Sequence, residues 1–246
     1  MEERALASLN EGVDGMSEVT YILVHGGWGG AWTWRDVGKE LTRREIPWTA
    51  LDLPSSTRGA HPNTYLADDA REVIEVANLD GPVVLVGHSY GGAVITEAAE
   101  QIPNVERVVH IAALVPALGQ SVSEAKDEVD IMTRLDDAIE RQGDFLVLDP
   151  VLAHLALYQD CKEKVAAWAV SQLTPQTIAS FRSPRSSFDV DVPSRYVLCT
   201  NDNAIDPTLQ KVMSQRCTEV VTLESDHSPF LSRPGVLTDL LVASTI

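Results

Sequence analysis

Apolar residues in this chain gather into short runs of strand length, separated by stretches whose apolar positions recur at helical spacing. The runs are VTYILVHG (Val19 to Gly26), WTALDLP (Trp48 to Pro54), PVVLVGH (Pro82 to His88), VERVVHIAALV (Val105 to Val115), SRYVLCT and EVVTLES. Between them lie AWTWRDVGKELTRR (Ala31 to Arg44), TYLADDAREVIEVANL, AVITEAAEQI and PTLQKVMSQRC, with PGVLTDLLVASTI at the end. A strand that is apolar on nearly every residue has no side left for solvent and must be covered on both. Such strand–helix alternation predicts the α/β class: a mostly parallel central sheet with helices on both faces.

The rhythm breaks between Pro116 and Pro193. In VSEAKDEVDIMTRLDDAIERQ, the residues Val129, Met132, Leu135 and Ile139 fall close to helical spacing among acidic neighbours. That predicts a helix with a solvated face. FLVLD is the one strand-like run in this region, and a second helical stretch, YQDCKEKVAAWAVSQL, follows it. The segment from about 117 to 192 therefore reads as a helical lid inserted over the sheet edge. With no repeats or low-complexity linkers, residues 19–246 form one domain, and the acidic residues 1–18 read as an N-terminal extension.

Composition narrows the partners. The chain has 246 residues, 44% of them hydrophobic, which is ample for a core. Its formal charge of −17 argues against nucleic acid, which needs clustered Lys and Arg, and against an anionic membrane surface. No apolar run reaches transmembrane length, and the first 18 residues lack the apolar core of a secretory signal. Cys161, Cys199 and Cys217 are odd in number and without metal-ligand spacing. They read as reduced thiols of a cytoplasmic protein that uses neither a metal nor a cofactor. The expected partner is a small molecule, with a homodimer left open.

The chemistry is carried by GHSYGG, which places Ser89 between an apolar strand and a helix. This is G-x-S-x-G, a serine on a strained strand-to-helix turn. Three glycines so close together imply a backbone that other residues cannot adopt. A serine hydroxyl needs a base to become a nucleophile. Beyond the last strand comes Asp226-His227-Ser228-Pro229, so His227 lies on the same sheet edge as Ser89. His25 and His88 precede the serine and read as pocket or packing residues; His61, His110 and His154 read as structural. The acid belongs on the loop NDNAIDP, where Asp202 lies nearest the strand end. Asp206, before Pro207, is placed to cap a helix, and Asp226 points elsewhere if its chain is extended.

An acyl oxyanion needs two main-chain N–H groups. Tyr90, after the serine, supplies one, and the glycine-rich loop HGGWGGAW supplies the other through Gly27. That loop has neither phosphate-loop nor dinucleotide-loop spacing. The expected substrate pocket lies between sheet and lid, with Gly26, Trp28, Tyr90 and His88 beside the serine and with Leu114 and Trp168 on the lid side.

From Val19 onward these motifs resemble the α/β-hydrolase superfamily. More narrowly, HGGWGGAWTW, CTNDNAIDP and SDHSPFLSRP look like the plant-type methylesterase and hydroxynitrile lyase group and its bacterial carboxylesterase kin. The resemblance implies Ser89 as nucleophile, His227 as base, Asp202 as its orienter, and Gly27 and Tyr90 as oxyanion donors. Lyases of this group carry a lysine after the catalytic histidine and a threonine in the oxyanion loop. Here those places hold Ser228 and Gly26, which favours hydrolysis. The expected activity is cleavage of a small, mainly apolar carboxylic ester or lactone. The rival expectations are a C–C hydrolase, a lyase or a cofactor-free oxygenase on the same triad, or a hydrolase-like ligand receptor.

Overall fold

The computed structural model describes residues 19–243, so the expected extension lies outside the described residues. The first four strands are β1 (Thr20–Val24), β2 (Trp48–Leu51), β3 (Val83–His88) and β4 (Val105–Ile111). The helices among them are α1 (Arg35–Arg43), α2 (Leu66–Val76) and α3 (Tyr90–Ala98). A long excursion follows: α4 (Val122–Lys126), α5 (Arg134–Ala138), β5 (Ile139–Gln142), β6 (Phe145–Leu148), α6 (Pro150–Leu157), α7 (Glu163–Gln172), β7 (Gln176–Thr177) and α8 (Ile178–Arg182). The chain then returns through β8 (Ser194–Cys199), α9 (Pro207–Ser214), β9 (Glu219–Leu223), α10 (Pro229–Ser232) and α11 (Pro234–Val242).

Six strands form one all-parallel sheet in the order β2-β1-β3-β4-β8-β9. Because side chains alternate along a strand, the sheet builds two cores. Ile22, Val24, Val83 and Leu85 pack with α2, α3 and α9, whereas Tyr21, Leu23, Val84 and Val86 pack with α1 and α11. This is the α/β-hydrolase fold.

The excursion between β4 and β8 differs from the single acidic helix expected over its first part. Two short helices form instead, each started by its own capping box. Ser121 and Glu124 bond reciprocally at α4, and Thr133 with Asp136 does the same at α5. The second box restarts the helix in the middle of the apolar pattern and leaves Met132 exposed. FLVLD is half of a hairpin, since β5 and β6 pair antiparallel across Gly143, whose φ is +62°. β7 adds a third strand.

The sheet's carboxyl edge is where loops converge. Register pairs Val24 with Gly87, His88 with Ile111, Ile111 with Val197 and Cys199 with Leu223. Strand order reverses at β1 and β3, because the chain runs outward to β2 and then crosses back. That reversal opens a crevice at the strands' carboxyl ends.

Candidate active site

Ser89 occupies that crevice with φ +53° and ψ −120°, a backbone that L-residues rarely adopt. It accepts no help from a side-chain cap; its neighbours make the turn geometrically necessary. A Cβ on Gly87 would lie 2.5 Å from the Gly91 carbonyl oxygen, and one on Gly91 would lie 2.5 Å from the His25 carbonyl oxygen. A Cβ on Gly92 would lie 2.5 Å from Ala113 Cβ. The three glycines thus let α3 start pressed against β1 and the end of β4. Trp28 (φ +59°) and Ala112 (φ +42°) also have left-handed backbone. Together with Ser89, they gather strain just beyond the carboxyl ends of β1, β3 and β4.

Tyr90 is the first residue of α3, so its amide is one that a helix leaves without an internal acceptor. Gly27 is oriented by His25. The buried His25 ring accepts the Leu53 amide at Nε2 (3.0 Å) and donates from Nδ1 to the Gly26 carbonyl (2.7 Å). The Gly29 amide donates to the same carbonyl at 3.2 Å. In a trans peptide the next N–H points the opposite way, so the Gly27 amide faces away from both. Burial pushes the His25 imidazole down to about 4, keeping it neutral for this double role.

The structure brings Asp202 to His227. Asp202 Oδ2 accepts from His227 Nδ1 at 2.7 Å and from Gln210 Nε2 at 2.9 Å. Its Oδ1 accepts the amides of Ala204 (2.7 Å) and Ile205 (2.9 Å). Gln210 of α9 also accepts the Cys199 amide, which ties this turn to the end of β8. Asp206 instead caps α9 by accepting the Thr208 amide at 2.7 Å. Asp226 faces the other way: it accepts from Ser232 Oγ, the Ser228 amide and the Asp160 amide. His88 supports His227 from behind, its Nε2 donating to the His227 carbonyl at 2.8 Å, with ring centroids 4.5 Å apart. Burial and the neighbouring His227 hold the His88 imidazole well below the usual range, so it is neutral.

Ser89 and His227 line one cavity, together with Gly26, Gly27, Trp28 and His88. Its other walls include Leu135, Leu157, Tyr158 and Phe230. Tyr90, Leu114 and Trp168 are not among its lining residues; the Tyr90 phenol turns instead to Asp69. Leu114 packs in the core with α2 and α3 while its amide donates to the Ser89 carbonyl at 3.1 Å. Trp168 meets Trp32 edge-on at 5.2 Å, under the Arg35 guanidinium at 3.8 Å. Among the described residues no cluster of three or more His, Cys, Asp or Glu is arranged to hold a metal ion. Among these four walls, Phe230 carried a local signal, three positions after His227. Leu135, Leu157 and Tyr158 belong to the excursion, whose residue pattern does not say which way they face.

A family model described as "Alpha/beta hydrolase family" matches residues 21–240. The chain is 30% identical to a protein of Arabidopsis thaliana named putative methylesterase 11, chloroplastic, over 95% of this chain and 66% of that one. It is 26% identical to polyneuridine aldehyde esterase of Rauvolfia serpentina, over 87% and 90% of the two chains. Among solved structures, a pyrethroid hydrolase from Sphingobium faniae superposes with a TM-score of 0.81 at 22% identity, covering 92% of this chain and 96% of that one.

Proposed function

Because the chain belongs to the alpha/beta hydrolase family, we propose that it is a serine hydrolase that opens a small, mainly apolar carboxylic ester or lactone through an acyl-enzyme. One observation carries this reading: the His227 ring, fixed by Asp202 at 2.7 Å through Nδ1, lines the same cavity as Ser89. With Nδ1–H committed to Asp202, Nε2 is the nitrogen free to take a proton. Ser89 Oγ attacks the carbonyl carbon, its proton passes to His227 Nε2, and the electron pair of the C=O moves onto oxygen. The amides of Gly27 and Tyr90 hold that oxyanion. Collapse expels the alkoxide, which takes the proton from Nε2. Water then attacks the acyl carbon, giving its proton to the same nitrogen, and release of the acid restores Ser89.

The esterase names among its relatives support an ester as the bond broken. Ser228 after His227 leaves no ammonium to steady a departing cyanide, so hydrolysis is favoured over lyase chemistry. The apolar walls from Leu135, Leu157 and Phe230 suit an apolar leaving group or acyl chain. The test is release of p-nitrophenol from its acetate and butyrate, with Ser89→Ala alongside. Turnover should fall by three orders of magnitude or more, roughly to the oxyanion-hole residue of catalysis. Equal slow release by both proteins would refute the reading.

A further inference from the structure

A chain of buried hydrogen bonds runs behind the site from Tyr90, one proposed oxyanion donor, to the residue that follows Gly27, the other. The Tyr90 phenol donates to Asp69 Oδ2 at 2.5 Å. Ser55 donates to the same carboxylate twice, from its amide to Oδ1 at 2.9 Å and from its hydroxyl to Oδ2 at 2.5 Å. Ser55 Oγ in turn accepts from Gln176 Nε2 at 2.7 Å, a nitrogen that also donates to Ser180 Oγ at 2.7 Å. The other end of that side chain, Gln176 Oε1, accepts the Trp28 amide at 3.3 Å. The chain thus runs from Tyr90 to Trp28, the residue that follows Gly27.

Every member is buried, and Asp69, Ser55, Gln176 and Ser180 are wholly so. Among the described residues Asp69 has no countercharge: its near partners are Ser55 and Tyr90, and the nearby charge acting on it is that of Asp68. For holding a fold together, an uncompensated buried carboxylate is a poor choice beside an apolar residue of similar size. Its placement fits a different task. Phe181 closes over the same two residues, its Cζ 3.0 Å from where a Cβ on Gly27 would stand. Its ring meets those of Trp28 and Tyr90 at 5.5 and 5.0 Å.

We propose that Asp69 is a positioning residue of the oxyanion hole. Through Tyr90 on one side, and through Ser55, Gln176 and Trp28 on the other, it sets both main-chain amides against Ser89. This rests on the serine-hydrolase reading above. An oxyanion donor works only within a narrow distance range, so slackening its support lowers turnover more than it lowers ground-state binding.

The test compares wild type, Ser89→Ala, Tyr90→Phe and Asp69→Asn on p-nitrophenyl butyrate and on its thiono analogue, with melting temperatures measured in parallel. Tyr90→Phe keeps the ring and the amide and removes only the hydroxyl. Glu97→Gln is the control, because Glu97 is another buried carboxylate, held by Ser186 and Ser187 outside this chain. Tyr90→Phe and Asp69→Asn should each lower kcat about tenfold, a fraction of the effect of losing a donor, with KM within about twofold. On the thionoester, whose sulfur accepts hydrogen bonds weakly, the loss should shrink to about twofold. The double variant should be no worse than the weaker single by more than about twofold. Glu97→Gln should lower the melting temperature alone. Both variants matching wild-type kcat, or losing equally on oxygen and sulfur esters, would overturn the proposal; if Asp69→Asn does not fold, Tyr90→Phe decides. Wild type no faster than Ser89→Ala would instead remove the hydrolase reading, and the proposal with it.

Discussion

Replacing Asp202 by asparagine changes one atom, and the structure says which one. The carboxylate receives four donors: two rigid backbone amides on Oδ1, and Gln210 and His227 on Oδ2. The asparagine oxygen must stay with the backbone amides, because they cannot reverse. Its NH₂ then faces Gln210 and His227. Gln210 cannot turn to receive it without surrendering its bonds to the Cys199 amide and the Ile205 carbonyl. The remaining acceptor is His227 Nδ1, so the ring proton moves to Nε2 and blocks the nitrogen proposed to deprotonate Ser89. A wrong tautomer in an otherwise intact site costs about 10⁴ in kcat, or about 5 kcal/mol of barrier. Asp206→Asn, the neighbouring control, alters only a helix cap and should cost at most about 1 kcal/mol of stability, with kcat within about twofold. Initial rates on p-nitrophenyl butyrate at saturating substrate, with thermal melts of each variant, make the comparison. If Asp202→Asn keeps more than about a tenth of kcat, or Asp206→Asn is equally damaged, the assignment of the acid is wrong.

Two further outcomes follow from packing and burial. Gly91→Ala would set a methyl 2.5 Å from the His25 carbonyl oxygen and 2.7 Å from that of Val24, both on main chain. Overpacking there should destabilise by about 1–3 kcal/mol and lower the calorimetric Tm by several degrees; an unchanged Tm would mean the elbow has slack. His110 is buried, and burial and the nearby Arg185 charge lower its imidazole from 6.5 to about 4. The unfolded chain therefore takes up this proton first, so the contribution to stability is complete above about pH 6.5 and is lost as pH falls towards 4. Its size is about 3 kcal/mol. His110→Phe should show a shallower fall of urea-unfolding free energy over that window, and identical slopes would refute the linkage.

The central sheet was readable because a parallel strand covered on both faces must be apolar throughout. The glycines of GHSYGG were readable because only close backbone approach explains them. The loop positions of Asp202 and His227 followed from strand order. The excursion was less legible. Its apolar spacing suited a helix, yet Thr133 and Asp136 restart the chain locally, and Gly143 turns it into a hairpin. Trp168 shows the same limit: a tryptophan on a helical face announces burial, but not against what, and its partners proved to be Trp32 and Arg35. Asp69 and Gln176 lie 107 residues apart in sequence and meet through Ser55 only once α2, β7 and the loop after β2 are packed. No local pattern announces such a meeting.

The left-handed conformations of Trp28, Ser89 and Ala112 have a bearing on how this protein would evolve in the laboratory. At such angles glycine relaxes the chain that a side chain strains. A screen that rewards survival of heating alone would therefore favour glycine at position 89, enriching robust proteins that lack the hydroxyl proposed as nucleophile. Selection for heat resistance in this scaffold has to be coupled to turnover at every round, or it will discard the proposed nucleophile first.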